Sequence, residues 1–542
     1  ETLLEELRDA RVQAIAVCLL HSYANPEHER VLGEALRDAL PEVTLSLSHE
    51  ILPEFKEYER MSTTTINAYV APVMERYLRD LETEVSDLGI TAPVHVMQSN
   101  GGTMGASAGA EKPVHTILSG PAAGVIGSVA LANQAGESNT ISVDMGGTSF
   151  DVSLSFGGEV RSTKESEIDR LPVKVPMVDI HTLGAGGGSV AWIDPGGALR
   201  VGPQSAGADP GPAAYGRGGE EPTVTDANLV LRRLDPERFL GGRMTLHSEL
   251  AVRAVSKRIA EPLGMSVEAA AEGIIRVVNA GMIKGIRVVS VSKGYDPRDF
   301  CLVAFGGAGP LHAAELATEL DIPRVLVPLA PGVTSALGLL MADLRHDYVR
   351  TVLARGDDIN AEKLDGLFTE METEAVIWMS DEGVERDSVT LVRLAEVRYQ
   401  GQGYELEVPV SNGIVTTLEI KSIIRRFHES HKSRYGHASP ENPVEVVNLR
   451  VTALSELPRP TLEAAVLEGT VGAPSSLVSE REVYFDGVYV ATKVYDRSLL
   501  SPGDIVKGPA IVEQLDSTAV VWPGEVVRVD AYANLILERE VL

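Results

Sequence analysis

Strands and helices alternate through most of this chain, and that alternation predicts an α/β fold. Two further observations shape the expectation. Glycine pairs follow strand-like runs at Gly146-Gly147 and Gly306-Gly307, where an α/β sheet opens onto a ligand. The pattern then changes after residue 346, where mixed α+β sequence leads into a β-rich region. Four segments are expected: 1–50, a core at 51–345 carrying the glycine motifs, an α+β domain at 346–460, and a β-rich domain at 461–542.

Leu3, Leu4 and Leu7 share one face of an opening helix, followed by a strand at 12–20, a helix at 26–39 and a strand at 43–47. Residues 62–88 read as one long amphipathic helix kinked at Pro72. A short strand at 94–97 runs into the turn Gln98-Ser99-Asn100-Gly101-Gly102. Ser119 and Pro121 suit the cap and first turn of a small-residue helix. From 139 to 202, turns at Gly146-Gly147, Gly157-Gly158 and Pro195-Gly196-Gly197 divide hairpins. The Gly/Pro-rich stretch 202–222 is long for an idle loop and points to function or an interface. Helices are expected at 225–234, 247–260 and 267–290, then strand 300–305, helix 310–320, strand 324–328 and helix 333–342. Strands follow at 390–412, a helix at 417–434 and a strand at 445–454. Regular turn signals after 480 predict a small sheet or barrel.

Composition narrows the function classes. The chain has 542 residues and a formal net charge of −29, which argues against nucleic acid or an anionic membrane as partner. No uncharged apolar run is long enough to span a bilayer. Two cysteines, Cys18 and Cys301, give neither a disulfide framework nor a zinc cluster, and a cytoplasmic setting fits. The chain opens at Glu1 in the middle of a helical pattern, so further sequence is expected before it.

The chemistry concentrates in Asp144-Met145-Gly146-Gly147-Thr148-Ser149-Phe150-Asp151. Paired glycines let backbone N–H groups close on a phosphate, and Thr148 and Ser149 add hydroxyl donors. Asp144 and Asp151 would repel that phosphate, so they make sense with a divalent cation or a proton to move. Alone, the motif is equally a glycine turn with two solvated aspartates. A second one, Phe305-Gly306-Gly307-Ala308-Gly309-Pro310, joins a strand to a helix whose N-terminus offers free N–H groups.

Other nucleotide motifs fail. No Gly-Lys dipeptide occurs, so there is no P-loop. Gly186-Gly187-Gly188-Ser189-Val190-Ala191 matches a dinucleotide fingerprint in form, but Trp192-Ile193-Asp194-Pro195 cannot continue as its helix. Asp179 and His181 alternate along a strand and would share a face, as metal ligands, a proton-transfer pair or a structural hydrogen bond. His428, His431 and His437 lack zinc-protease spacing.

Together the two glycine motifs resemble those of the actin, sugar-kinase and heat-shock-chaperone ATPases (ribonuclease H-like cores), in the order found in that superfamily's second lobe. More specifically, the chain resembles the A-type subunit of the hydantoinase/oxoprolinase family. The matching stretches include Ser48-His49-Glu50-Ile51-Leu52-Pro53-Glu54, Met97-Gln98-Ser99-Asn100-Gly101-Gly102, Ser119-Gly120-Pro121-Ala122-Ala123-Gly124, the Asp144 and His181 motifs, Thr223-Val224-Thr225-Asp226-Ala227-Asn228 and Gly508-Pro509-Ala510-Ile511-Val512-Glu513. This family normally begins with a further Asp-x-Gly-Gly-Thr hairpin. None precedes residue 139 here, so the resemblance implies a truncated first lobe with 1–50 as its remnant.

The resemblance implies an ATP-dependent hydrolase subunit that opens a cyclic amide of the hydantoin, N-methylhydantoin or 5-oxoproline type. It implies Mg²⁺ (with Mn²⁺ or another divalent ion as alternatives), a B-type partner subunit and an oligomer. On this view Asp144, Asp151 and His181 are catalytic, and Asp144 and Asp179 hold metal. Gly146, Gly147, Thr148, Gly186, Gly187, Gly306, Gly307 and Gly309 bind the nucleotide, and Asn100 and Gly101 line the substrate side. The alternatives are a subunit of an ATP-dependent ketone (acetone or acetophenone) carboxylase, or a truncated nucleotide-binding scaffold inactive by itself.

Overall fold

The computed structural model describes residues 2–164 and 166–540. The chain divides into two compact units. One runs to Ser119 and adds Ser162–Met177 and Ala342–Pro458; the other takes Gly120–Arg161, Val178–Met341 and the chain from Arg459 onward. This division differs from the four segments expected, because strand pairing between distant segments decides it.

In the second unit, the described residues build a nine-stranded sheet. Its order is Ile180–Leu183, Phe150–Phe156, Thr140–Met145, Cys301–Phe305, Arg324–Val327, Leu535–Arg539, Glu525–Val529, Ile505–Lys507, with Glu159–Val160 beside Phe150–Phe156. Thr140–Met145 pairs antiparallel with Phe150–Phe156 and parallel with Cys301–Phe305. Strands covered on both faces read as continuous apolar runs, and Cys-Leu-Val-Ala-Phe is buried at every position. Val143, Met145, Leu302 and Ala304 face a core shared with helices Val267–Val289 and Gly309–Glu319. Val303 and Phe305 face the other way, onto Ala132 of helix Ser119–Gln134. Val267–Val289 buries Ala271, Ile274, Ile275, Val278, Met282 and Ile286, the three-to-four spacing of an amphipathic helix. Ser266 caps it by accepting the Ala269 N–H (3.1 Å).

The β-rich C-terminal segment, expected as a sheet of its own, is shared out. Leu477–Phe485, Val488–Asp496, Ala510–Glu513 and Thr518–Val521 form a four-stranded sheet. Leu535–Arg539 instead pairs antiparallel with Arg324–Val327, covering what would otherwise be an exposed edge.

The first unit contains a six-stranded sheet ordered Leu406–Val410, Thr390–Tyr399, Val444–Ser455, Leu344–Arg355, Thr103–Gly105, His95–Met97. Helices Ala361–Asp381 and Thr417–Tyr435 supply Leu364, Phe368, Ile423 and Phe427 to its core. Val444–Ser455 carries polar residues into the interior, and they are paired there, as burial requires. Arg450 bonds Glu396 and Glu54, and Glu445 bonds Arg355 and Arg398. The long helix is present as Glu57–Asp87 with Pro72 inside it. Ala14–Val17 and Thr44–Leu47 form a parallel pair beside helix Glu27–Ala39.

Candidate functional site

The site is built on the hairpin between Thr140–Met145 and Phe150–Phe156. Asp144 stands opposite Asp151 and Met145 opposite Phe150, leaving Gly146 to Ser149 as the tip. The Gly146 N–H donates to the Ser149 carbonyl (3.2 Å) and closes it, and Gly147 and Thr148 are exposed. Directly paired residues share a face. Asp144 and Asp151 therefore present two carboxylates side by side.

Their partners differ. Asp151 accepts from Thr182 Oγ1 (2.6 Å) and Ser149 Oγ (3.2 Å). The Asp144 carboxylate has no hydrogen bond or ion pair among the described residues. Burial, and then the charge of Asp151, push its carboxyl up to about 6.

Glycines bring other segments onto this hairpin. A Cβ at Gly306, whose φ is +77°, would stand 2.2 Å from Asp144 Oδ1 and 2.6 Å from the Met145 carbonyl. Only glycine fits that left-handed turn at that distance. The Ala308 N–H then donates to the Met145 carbonyl (2.9 Å). A Cβ at Gly186 would stand 2.5 Å from the Gly147–Thr148 peptide. The Gly187 and Gly188 N–H groups donate to the Gly146 (3.0 Å) and Gly147 (2.7 Å) carbonyls. The Gly187 carbonyl in turn accepts from the N–H (2.8 Å) and Oγ1 (2.9 Å) of Thr225. Thr225 is fixed by a capping box in which Thr223 and Asp226 satisfy each other at the start of helix Val224–Val230. Asp226 also accepts from the N–H groups of Ala213 and Ala214, tying down the Gly/Pro-rich stretch.

The two glycine motifs meet at one cavity of about 260 Å³. Gly146, Gly147 and Gly187 form one side, and Gly307 and Ala308 another. Tyr215, Phe239, Leu240, Leu311 and Leu515 make an apolar wall. Charged residues around it are paired: Arg238 with Glu513 (2.9 Å), and Arg481 with Glu513 (2.6 Å) and Asp235 (3.2 Å). The Asp516 carboxylate accepts the Gly332 N–H (2.8 Å). The Gly147 and Gly307 N–H groups, without a partner among the described residues, and the apolar wall match a ligand with an anionic end and a flat apolar end.

Several expected residues lie elsewhere. His181 pairs with Val152, so it faces away from Asp144 and Asp151; its ring lies toward Gly285 of helix Val267–Val289. Thr182, one residue on, occupies the carboxylate face. The hairpin therefore does not bring His181 to the two carboxylates, because strand residues alternate faces. Asp179 precedes the strand and forms an ion pair with Lys293, apart from Asp144 and Asp151. Gly306 touches Asp144 and does not line the cavity; Gly309 opens the helix Gly309–Glu319, close to the Met145 N–H. Asn100 and Gly101 belong to the other unit. The Asn100 amide donates to Asp347 (2.8 Å) and its oxygen accepts from the Gly102 N–H (2.9 Å), while Gly101 takes φ +87° in the turn. Thr182, Thr225, Tyr215 and Phe239 are additions. Thr225 could have been found from the Thr-x-x-Asp cap signature; the aromatic pair sits in stretches with no periodic signal.

Hard oxygen donors suit a divalent cation. The unpartnered Asp144 carboxylate beside Asp151 fits one, because a cation would relieve their mutual repulsion. No group of three or more His, Cys, Asp or Glu able to hold a metal occurs among the described residues. Phosphate oxygens and water would complete such a shell.

Sheet, hairpin and glycine cavity define an ATPase-like α/β protein. The chain belongs to the hydantoinase/oxoprolinase family: that family matches residues 60–348, its C-terminal domain 355–540 and its N-terminal region 1–40. An uncharacterized protein of Methanocaldococcus jannaschii is 40% identical, over 99% of this chain and 79% of its own length. The caprolactamase alpha subunit of Pseudomonas jessenii is 39% identical, over 98% of this chain and 77% of its own. The acetophenone carboxylase gamma subunit of Aromatoleum aromaticum is 32% identical, over 99% and 75%. Among solved structures, ATP-dependent caprolactamase from Pseudomonas jessenii superposes with a TM-score of 0.86 at 37% identity, covering 100% of this chain and 79% of that one. Nucleotide-free acetone carboxylase gives 0.82 at 30% identity, covering 99% and 78%. No helix among the described residues is long and apolar enough to cross a membrane.

Proposed function

We propose that this chain is the ATP-binding subunit of an enzyme that opens a cyclic amide at the expense of ATP. The observation that carries this reading is the meeting of two glycine motifs, far apart in sequence, at one cavity beside an unpartnered carboxylate. Gly147 and Thr148 hold the phosphates through their backbone N–H groups and the threonine hydroxyl, and Gly146 lets them approach closely. Gly307 and the apolar wall of Tyr215, Phe239 and Leu515 take the nucleoside. Asp144, with Asp151, would hold Mg²⁺, which would supply positive charge against the phosphates.

An unstrained amide is a poor electrophile. Transfer of the terminal phosphoryl group to the amide oxygen releases ADP and gives an imidate-like phosphate. Water adds to the carbon and the ring C–N bond breaks, the nitrogen leaving as the amine. A second water then cleaves the resulting acyl phosphate to carboxylate and phosphate, so one ATP and two waters are consumed per ring opened. Thr182 and Ser149 hold Asp151 in place by hydrogen bonds. Relatives named as alpha and gamma subunits support a partner chain, here a B-type subunit.

The higher identity to caprolactamase (39%) than to the acetophenone carboxylase subunit (32%) favours a lactam over a ketone. The test is ADP release by the chain with its partner subunit. Caprolactam, 5-oxoproline and hydantoin are compared with acetone or acetophenone plus bicarbonate. Stimulation by a cyclic amide alone is expected; stimulation by ketone plus bicarbonate alone overturns the lactam reading and leaves the ATP site standing.

A further inference from the structure

The first unit holds a cavity of about 940 Å³ that the proposed ATP chemistry does not use. Its wall is rich in charge, yet nearly all of that charge is already paired. Arg79 bonds Glu75 (2.9 Å), Arg350 bonds Glu374 (2.5 Å), and Arg37 stands 3.7 Å from Glu50. Lys174 and Arg450 both bond Glu54, and Asp347 bonds Arg345. Glu42 and Glu82 also reach the wall, but they are exposed and screened by solvent, and Glu111, also exposed, acts on Lys112 through space without a hydrogen bond. Lys112 remains. Its ammonium has no carboxylate, hydroxyl or carbonyl partner among the described residues, and it lines both this cavity and a neighbouring hollow of about 350 Å³.

Two histidines accompany it on both walls. Burial, and then the charge of Lys112, hold His115 down to about 4; burial, Lys112 and His115 hold His346 down to about 3. Both are neutral at pH 7, and neither ring makes a hydrogen bond among the described residues. Each offers one N–H donor and one acceptor. Burial also lowers Lys112, opposed by Glu111 and Glu50 and reinforced by Arg350. An unpaired ammonium in such a place favours an anion as its complement. The charge available is a single positive one, which matches a monoanion better than a phosphate dianion. The rest of the surface is apolar in part: Leu45, Ile51 and Val349 in the cavity, and Met104, Ile377 and Trp378 in the hollow.

We infer that this cavity is a binding site for a small monocarboxylate with an apolar body, its carboxylate paired with Lys112 and its second oxygen within reach of the His115 and His346 rings. The site is independent of the ATP cavity and of the reading given to it.

Hexanoate is the probe, titrated into the full chain at pH 7 and followed by calorimetry and tryptophan fluorescence, with hexanol and inorganic phosphate in parallel. Saturable binding of hexanoate alone is expected. Lys112→Met should weaken it about tenfold or more, the cost of a lost charged hydrogen bond, while Lys112→Arg keeps it within about threefold. Equal binding of hexanol, equal binding of phosphate, or an unchanged affinity in Lys112→Met overturns the assignment. If Lys112→Met fails to fold, Lys112→Arg and the hexanol comparison still decide.

Discussion

Asp144 and Asp347 are both largely buried aspartates on sheet strands, and the protein holds them in opposite states. Asp347 lies in the first unit on Leu344–Arg355. Burial alone would raise its carboxyl, but Arg345 (3.0 Å), Thr452 (2.6 Å) and Asn100 (2.8 Å) hold it well below the usual carboxylate range. Asp144 lies in the second unit at the end of Thr140–Met145. It has only a like charge opposite and is pushed up to about 6. The first arrangement is complete in itself. The second is complete only with something positive added, and buried groups left in that condition mark functional sites.

The comparison can be broken most sharply at Asp144. In the complete enzyme with its partner, Asp144→Asn should lower ATP turnover by about a thousandfold or more, since a group acting on transferring phosphate is removed. The same variant should be more stable than the parent. A carboxyl raised from 3.8 to about 6 favours folding below about pH 4 and loses that contribution as pH rises through about 6. Removing the charge should therefore raise stability by about 3 kcal/mol above pH 6, and change little below pH 4. Melting temperatures across that range check it; a destabilised variant at pH 7 would mean that Asp144 has a partner in the folded protein.

Asp347→Asn should do the reverse. A depressed carboxyl contributes stability above its ordinary range and loses it in acid, so this variant should be destabilised at neutral pH by about 3 kcal/mol, with Arg345 left without its counter-charge. The gap should narrow as pH falls below about 4. Denaturant midpoints at pH 7 and at about pH 2.5 measure both. The smallest effect is expected at His181, which faces away from both carboxylates. His181→Ala should keep ATP turnover within about threefold; a loss near that of Asp144→Asn would restore it to the catalytic set.

Much of this was legible in the sequence. The glycine motifs announced their hairpin and turn because glycine pairs after apolar runs have few other uses. Helices such as Val267–Val289 and Thr417–Tyr435 were legible from their apolar spacing. What escaped depends on partners distant in sequence. The face on which His181 falls is set by its register against Val152. The fate of Asp179 is set by Lys293. The long strand Leu344–Arg355 shows no regular alternation of polar and apolar residues, and pairing with Val444–Ser455 makes it a strand. Lys112 follows Glu111 like any surface pair, and only the cavity distinguishes it.

The strand Leu535–Arg539 has a consequence for how the protein is made. It pairs with Arg324–Val327, which pairs with Cys301–Phe305, which pairs with the strand bearing Asp144. A ribosome delivers these pieces in order of sequence. The sheet beneath the nucleotide cavity therefore stays open along one edge until Leu535–Arg539, far downstream of Arg324–Val327, has emerged. Such long-range closure is slow, and an unpaired strand edge invites aggregation while it lasts. In the cell this edge should stay exposed for as long as the intervening chain is being made, with chaperones guarding the gap.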